Sequence, residues 1–337
     1  MNARLRPAAA VRPRLGFLGV GWIGRQRMQV LSDSGVAQVT AVADAHLETA
    51  AAAADSVPGA CVMSGLDELL GSKIDGLVIA TPSGAHAAQA TRALESGIAV
   101  FCQKPLTRTA EEAVNVVEAA RRADRLLEVD FSYRHVAGID RLRELVQSGE
   151  MGTLQAVDLT FHNAYGPDKP WFKDMAQSGG GCVMDLGVHL IDLAQWIAGE
   201  ADIGSLDARL SVGGIRLTRP VAEVEDYASV QWNLRCGASA RMACSWNLPA
   251  GCDAVIEAAF YGTRGGVAIR NVGGSFHDFK VERFDGTRRE LLASPPDPWG
   301  GRALVDWAQR LAAGERFDPA SDRFVEVARV VDAIYGR

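Results

Sequence analysis

Residues 14–24, Arg-Leu-Gly-Phe-Leu-Gly-Val-Gly-Trp-Ile-Gly, constrain the fold more than any other stretch, because an apolar run ends in glycines spaced G-x-G-x-x-G at Gly19, Gly21 and Gly24. Such a segment reads as a tight turn between a buried strand and a helix. The first glycine permits the reversal, the second lets the backbone approach a pyrophosphate, and the third lets the helix pack on the strand. The phosphates then sit on unpaired N–H groups at the helix start. Many strand-to-helix turns use glycine, so the spacing alone is weak. Context strengthens it: a second apolar run, 39–43, ends at Asp44, twenty residues after Gly24, where a carboxylate can hold the two hydroxyls of an adenine ribose. A carboxylate repels a 2′-phosphate, and Ala45 and His46 supply no arginine to clamp one. NAD is therefore expected over NADP, with His46 keeping NADP as the lesser alternative. The plainer reading of Asp44 is a strand-end residue capping the helix that starts near His46.

Beyond Asp44 the pattern alternates. Helix-forming residues at 47–54 are followed by an apolar strand at 74–80 that stops at Thr81-Pro82-Ser83-Gly84. A helix at 85–96 stops at Gly97, a strand at 98–102 stops at Gln103-Lys104-Pro105, and a helix at 109–123 precedes a strand at 126–131. This alternation implies an α/β fold with a doubly wound parallel sheet, whose ligands lie at the carboxyl ends of its strands, near Gly19, Asp44, Thr81, Lys104 and Phe131. After Arg134 the grammar changes. A linking helix at 139–148 leads to a run of period-two strands, at 154–161, 205–212, 226–235, 238–246, 253–261, 266–272 and 278–284. They predict a second, large and mostly antiparallel open sheet. The helix predicted over 183–198 carries Leu186, Leu190, Leu193 and Ile197 at helical spacing and is expected to cover the apolar face of that sheet. Helices at 303–313 and 324–335 close the chain.

At 337 residues the chain exceeds an ordinary single domain. The expected division is an arm at 1–13, a dinucleotide-binding domain at 14–135, a substrate-binding and oligomerisation α+β domain at 136–302, and closing helices at 303–337. A formal charge of −6 argues against nucleic-acid binding, and no apolar run reaches the roughly 18 residues needed to span a bilayer. The run 8–11 is too short and too weakly apolar for a secretory signal, so the expected location is cytoplasmic. The six cysteines form no C-x-x-C pair and the six histidines no H-E-x-x-H, so no metal is predicted.

These motifs bring the chain close to a known family. It resembles the glucose-fructose oxidoreductase and inositol dehydrogenase (Gfo/Idh/MocA) family along nearly its whole length. The resemblance rests on Gly-Val-Gly-Trp-Ile-Gly at 19–24, Ala-Thr-Pro-Ser-Gly-Ala-His at 80–86, Gln-Lys-Pro-Leu at 103–106 and Tyr-Arg at 133–134. It continues through Gly-Gly-Gly-Cys-Val-Met-Asp-Leu-Gly-Val-His-Leu-Ile-Asp at 179–192 and Tyr-Gly-Thr-Arg-Gly at 261–265. The resemblance implies an NAD(P)-dependent oxidoreductase with an N-terminal Rossmann domain, a C-terminal sheet that builds a homodimer or homotetramer, and a sugar, sugar derivative or cyclic polyol as substrate. It implies a cofactor site drawn from Gly19, Gly21, Trp22, Ile23, Gly24, Asp44, Thr81, Pro82, Ser83, His86, Gln103 and Lys104. Lys104 matches the family's catalytic lysine, and Pro105 is expected to follow a cis bond. An ammonium at the end of a parallel strand can stabilise a developing alkoxide. Its plain reading is a surface lysine beside a turn. Gln103 departs from the family's glutamate, removing a charge and altering how Lys104 is held.

Asp185 and His189, four residues apart on one predicted helix, would share a face and form an acid–base pair. His189, with an unperturbed pKa near about 6.5, is the better candidate base, and Asp185 would orient substrate hydroxyls. Read plainly, His189 is a buried helix histidine and Asp185 an acid favoured by the helix dipole. Gly179-Gly180-Gly181 suggests backbone close to a ligand, although a flexible loop would look alike, and Asp192 is expected to be structural. Arg134, His162 and Trp171 are the remaining substrate-site candidates, with Tyr165 and Lys173 in the same polar-aromatic connection; each could equally be filler. His86 is expected to shape the cofactor pocket. Together these residues predict an NAD-dependent dehydrogenase acting on a secondary hydroxyl or the matching ketone. Two rivals remain: a non-catalytic NAD sensor that binds a protein partner, and an NAD-dependent glycosidase that works by transient oxidation and elimination.

Overall fold

The structure is a computed structural model that describes residues 12–199 and 203–337, so the expected arm at 1–13 lies outside the described residues except for Arg12 and Pro13. Six parallel strands form the first sheet: β1 (Arg14–Leu18), β2 (Gln38–Ala43), β3 (Cys61–Val62), β4 (Gly76–Ile79), β5 (Ala99–Cys102) and β6 (Leu127–Val129). Their order, β3-β2-β1-β4-β5-β6, reverses between β1 and β4 and opens a crevice at their carboxyl ends. Helices α1 (Trp22–Ser34), α2 (Leu47–Ser56), α3 (Leu66–Gly71), α4 (Ser83–Glu95) and α5 (Ala110–Ala123) alternate with the strands. Both faces of this sheet are covered, and alternate side chains divide accordingly. Val78, Ala99 and Phe101 join a cluster with Met28 and Leu31 of α1, while Leu77, Ile79, Val100 and Cys102 join one with Ala90 and Leu94 of α4.

Helix α6 (Ile139–Gln147) leads into the second sheet, made of β7 (Leu154–Asn163), β8 (Ile203–Val212), β9 (Ile215–Arg216), β10 (Tyr227–Leu234), β11 (Ser239–Ser245), β12 (Ala254–Gly262), β13 (Gly266–Asn271), β14 (Phe279–Asp285) and β15 (Arg288–Ala293). Its order is β15-β14-β13-β12-β7-β11-β10-β8-β9. The pairs are antiparallel with one exception, β7 with β11, which run parallel. The chain leaves β7 for a long excursion before β8, so β11 fills the place beside β7 that a hairpin partner would have taken. In β10, Ala228, Val230, Trp232 and Leu234 face the core as the alternation predicts. The short β3 and β9 and the mostly exposed β15 lacked a readable period, as did α3.

Between β7 and β8 lie α7 (Met175–Ser178), a π-helical turn (Val183–Gly187) and α8 (Val188–Ala198). The run 183–198 is therefore not one regular α-helix. Helix α8 packs on β7 and β12, covering the apolar face. The final helices return to the start of the fold: α9 (Arg302–Ala312) lays Trp307 against Phe101, and α10 (Asp322–Tyr335) packs on α5 and α8. A Cβ at Gly76 would lie 2.6 Å from Trp307, so β4 needs glycine there to admit the indole. Among the described residues no helix is long and apolar enough to cross a membrane.

Candidate active site

The glycine turn has the geometry its spacing predicts. Gly19 has φ +86°, and a Cβ there would lie 2.6 Å from the Ala80 carbonyl. A Cβ at Gly24 would approach Gly19 O to 2.2 Å, which is how closely α1 packs on the turn. Gly21 is different: nothing lies within 4 Å of its would-be Cβ, and no side chain caps α1 above it. An open space faces the start of a helix, and a pyrophosphate fits that cradle. Asp44 is fixed at the end of β2, with Oδ2 accepting the Val20 N–H at 2.9 Å and Oδ1 the His46 N–H at 3.0 Å. The carboxylate is thus tied to the glycine turn. The residue that caps α2 is His46 itself. Arg25 reaches the neighbourhood, but its guanidinium donates to the carbonyls of Val20 and Thr49.

A cavity of about 470 Å³ opens from this crevice toward the second sheet. Trp22, Ile23, Thr81, Pro82, Ser83, Gln103, Lys104, Trp171, Asp185 and His189 all line it, so most of the expected cofactor and catalytic residues meet in one place. Lys104 Nζ donates to Asp185 Oδ1 and to the Asp185 carbonyl, each at 2.7 Å, and the Lys104–Pro105 bond is cis. The indole N–H of Trp246 donates to Asp185 Oδ2 at 3.1 Å. The pair that forms is therefore Lys104–Asp185, not the Asp185–His189 pair read from a spacing of four. The π turn is the reason, because its i→i+5 pattern inserts a residue and breaks the i, i+4 stacking.

His189 is 9% exposed and packs edge-on against Phe131 and Tyr133, at 6.3 and 5.0 Å between ring centres. Its Nδ1 is buried without a hydrogen-bond partner. Burial, reinforced by the positive charges of Lys104 and Arg27, pushes the imidazole well below its ordinary 6.5. The neutral imidazole is thereby favoured.

Gln103 does not hold Lys104. Its amide donates to Asp130, which also accepts from Arg27 Nε at 2.6 Å, while Arg27 Nη2 donates to Ser132 Oγ at 3.0 Å. Burial by itself would raise the Asp130 carboxyl, yet Arg27, Ser132 and Gln103 keep it below its usual value. An uncharged amide suits this place, where a second carboxylate would face Asp130. His86 is kept behind the cavity wall, with Nδ1 2.8 Å from Pro105 O and Nε2 2.7 Å from Thr81 O, two carbonyls of which the neutral ring donates to one.

Other expectations are corrected. Arg134 does not reach the cavity: its guanidinium grips Asp192 with both ends, Nε to Oδ2 at 2.7 Å, and the two side chains are 8% and 1% exposed. His162 turns to Ser245 Oγ at 2.8 Å and stacks near Tyr227. Gly180 and Gly181 line the cavity and also press on protein behind it, as a Cβ would lie 2.0 Å from Tyr335 OH at Gly180 and 1.8 Å from Glu225 O at Gly181. Tyr165 is exposed and donates to Asp253 at 2.6 Å, and Lys173 does not line the cavity. The sequence reading missed Tyr133, Phe172, Phe276 and Trp299, which complete an aromatic wall with Trp171 and Trp22. The signal was half present. In the Ser132–His135 turn, a 3-10 turn that sets successive side chains about 120° apart, Tyr133 lines the cavity while Arg134 goes to Asp192. Among the described residues no three His, Cys, Asp or Glu gather to hold a metal ion.

Comparison with known proteins agrees with this geometry. Residues 13–131 match the oxidoreductase family with NAD-binding Rossmann fold, and residues 139–268 match the GFO/IDH/MocA C-terminal domain. Inositol 2-dehydrogenase of Rhizobium meliloti (strain 1021) is 28% identical over 263 residues, which are 77% of this chain and 76% of that protein. GenD2 from gentamicin A biosynthesis, solved with NAD, superposes with a TM-score of 0.80 at 25% identity, covering 99% of this chain and 96% of its own. KijD10, a 3-ketoreductase from Actinomadura kijaniata solved with NADP, shares the fold at a TM-score of 0.81 and 22% identity, with 96% and 97% covered. Two family matches that together cover the first sheet and most of the second place this chain in the Gfo/Idh/MocA family of oxidoreductases.

Proposed function

We propose that the protein is an NAD-dependent dehydrogenase that oxidises a secondary hydroxyl of a sugar, sugar derivative or cyclitol, or reduces the corresponding ketone. Residues 14–135 would hold the cofactor and 136–302 most of the substrate site. The observation that carries this reading is the Lys104–Asp185 contact at 2.7 Å, with His189 lining the same cavity. When bound in the glycine cradle, the nicotinamide cofactor supplies hydride chemistry. The side chains do the rest. The Lys104 ammonium, oriented by Asp185, stabilises negative charge on the reacting oxygen. Neutral His189 takes the hydroxyl proton. Trp171 and Trp299 offer apolar faces to the C–H side of a polyol ring. A panel of inositols, free sugars and glycosides, followed by NADH absorbance, tests the reading; turnover of none of them would overturn it. A sensor without chemistry has no use for three reactive side chains in one cavity, and no observation favours the glycosidase.

Cofactor preference follows from Asp44. Catalytic efficiency with NAD is expected to exceed that with NADP at least about tenfold, since confining a phosphate beside a fixed carboxylate costs more than about 1.4 kcal/mol. Asp44→Ala combined with His46→Arg should narrow or reverse the preference. Equal efficiencies in the unsubstituted protein would count against Asp44 as the selector.

The pH dependence has a definite sign. A base whose pKa lies well below 6.5 stays unprotonated as the pH drops through 6.5, so kcat/KM should hold there and fall only in more acidic solution. An acid limb centred at or above 6.5 in the pH profile would contradict this environment for His189.

A further inference from the structure

The segment that carries Asp185 is anchored by a residue that does not line the cavity. Glu225 is 0% exposed. Its carboxylate accepts the N–H of Gly181 at 2.9 Å and of Val183 at 2.8 Å, together with the Tyr335 hydroxyl at 2.8 Å. Its own carbonyl accepts the N–H of Cys182 at 3.1 Å. Three consecutive N–H groups, the ones a helix start leaves unpaired, are thus satisfied by one residue. The next residue completes the hold. Asp226 O accepts the Trp246 N–H at 2.7 Å, and the Trp246 indole donates to Asp185 Oδ2 at 3.1 Å. The dipeptide 225–226 therefore holds both the backbone that carries Asp185 and one of the two side chains bonded to its carboxylate. Gly180 and Gly181 are the complement of this brace, since any side chain there would strike Tyr335 or Glu225.

We propose that Glu225, backed by the Tyr335 hydroxyl, is a positioning residue that sets residues 181–185 so that Asp185 meets Lys104. It lines no part of the cavity. Burying a carboxylate is costly unless it is hydrogen-bonded, and here three donors converge on it while a fourth uses the same residue's carbonyl. A helix start is the place where that charge is favourable. The inference rests on the dehydrogenase reading for its consequence in turnover, but not for its geometry.

Glu225→Gln preserves volume yet sets an amide N–H against a backbone N–H, so the 181–183 turn must shift. A displacement of about 1 Å behind a reacting group costs up to about 10²-fold in rate, and kcat should fall by about 10- to 100-fold. NAD affinity should stay within about twofold, because the glycine turn and Asp44 are untouched. The chain has only five lysines, so the 15N signal of the Lys104 ammonium is resolvable and can be assigned with Lys104→Arg. That signal should move in Glu225→Gln in the direction it moves in Asp185→Asn. Tyr335→Phe, which removes one of the four donors, should shift it the same way by less, and carries the test if Glu225→Gln does not fold. An unmoved Lys104 signal in a folded variant overturns the proposal. So does a loss of NAD affinity parallel to the loss of kcat. Failure of the unsubstituted protein to oxidise any polyol would sink the dehydrogenase reading, while the Lys104 signal still decides the brace.

Discussion

Replacing Lys104 by methionine or His189 by alanine is expected to slow turnover by about 10²-fold or more in each case, the usual scale for losing a charge-stabilising donor or a general base. NAD affinity should change little, since the pyrophosphate cradle at Gly21 and the Asp44 carboxylate remain. The two losses should not multiply. If the lysine and the histidine serve the same oxygen and the same proton, the double variant will be scarcely slower than the worse single one. Lys104→Met also strips Asp185 of its cation, leaving only the Trp246 N–H on its carboxylate, so a thermal melt should accompany the kinetics. Calorimetric NAD binding beside steady-state rates decides the matter. Turnover near the original rate in His189→Ala would remove the histidine as base and hand the proton to another group in the cavity.

The second large effect is on stability. Arg134→Met leaves Asp192 as a buried carboxylate, 1% exposed, without its ion-pair partner, and removing one partner of such a pair typically costs about 3–5 kcal/mol. Burial already pulls the Asp192 carboxyl above its usual value, with Arg134 opposing it. The arginine also lies over the rings of Phe131 and Trp196, each 5.5 Å from its guanidinium carbon, so packing is lost along with charge. Urea unfolding should show the loss. The double variant Arg134→Met/Asp192→Leu should recover most of it, because no buried charge is then stranded. Where the single variant remains folded, its KM should be unchanged, as Arg134 does not line the cavity. A raised KM at intact stability would return Arg134 to the substrate.

Features that depend on neighbouring residues were legible in the sequence. Glycines at 19, 21 and 24, the acid at 44 and the Lys-Pro turn at 104–105 each announce a local conformation through backbone freedom or the end of an apolar run. The period-two pattern of 227–234 announces a strand with one buried face. Even so, Asp185 and His189 line one cavity but do not form the pair read from their spacing, because a π turn is a local departure that hydrophobic spacing does not register.

The amino-acid sequence by itself therefore determined the strand-helix grammar and the glycine turn, since each follows from bonds and steric limits within a few residues. Tertiary structure alone decided partners. Lys104 meets an acid 81 positions away, Gln103 turns to Asp130, Arg134 goes to Asp192 while its neighbour Tyr133 enters the cavity, and Trp307 covers Phe101 across most of the chain. Which of several acids a buried cation meets depends on which faces the two sheets and the returning helices press together. The burial that makes those pairings matter exists only once the faces are closed.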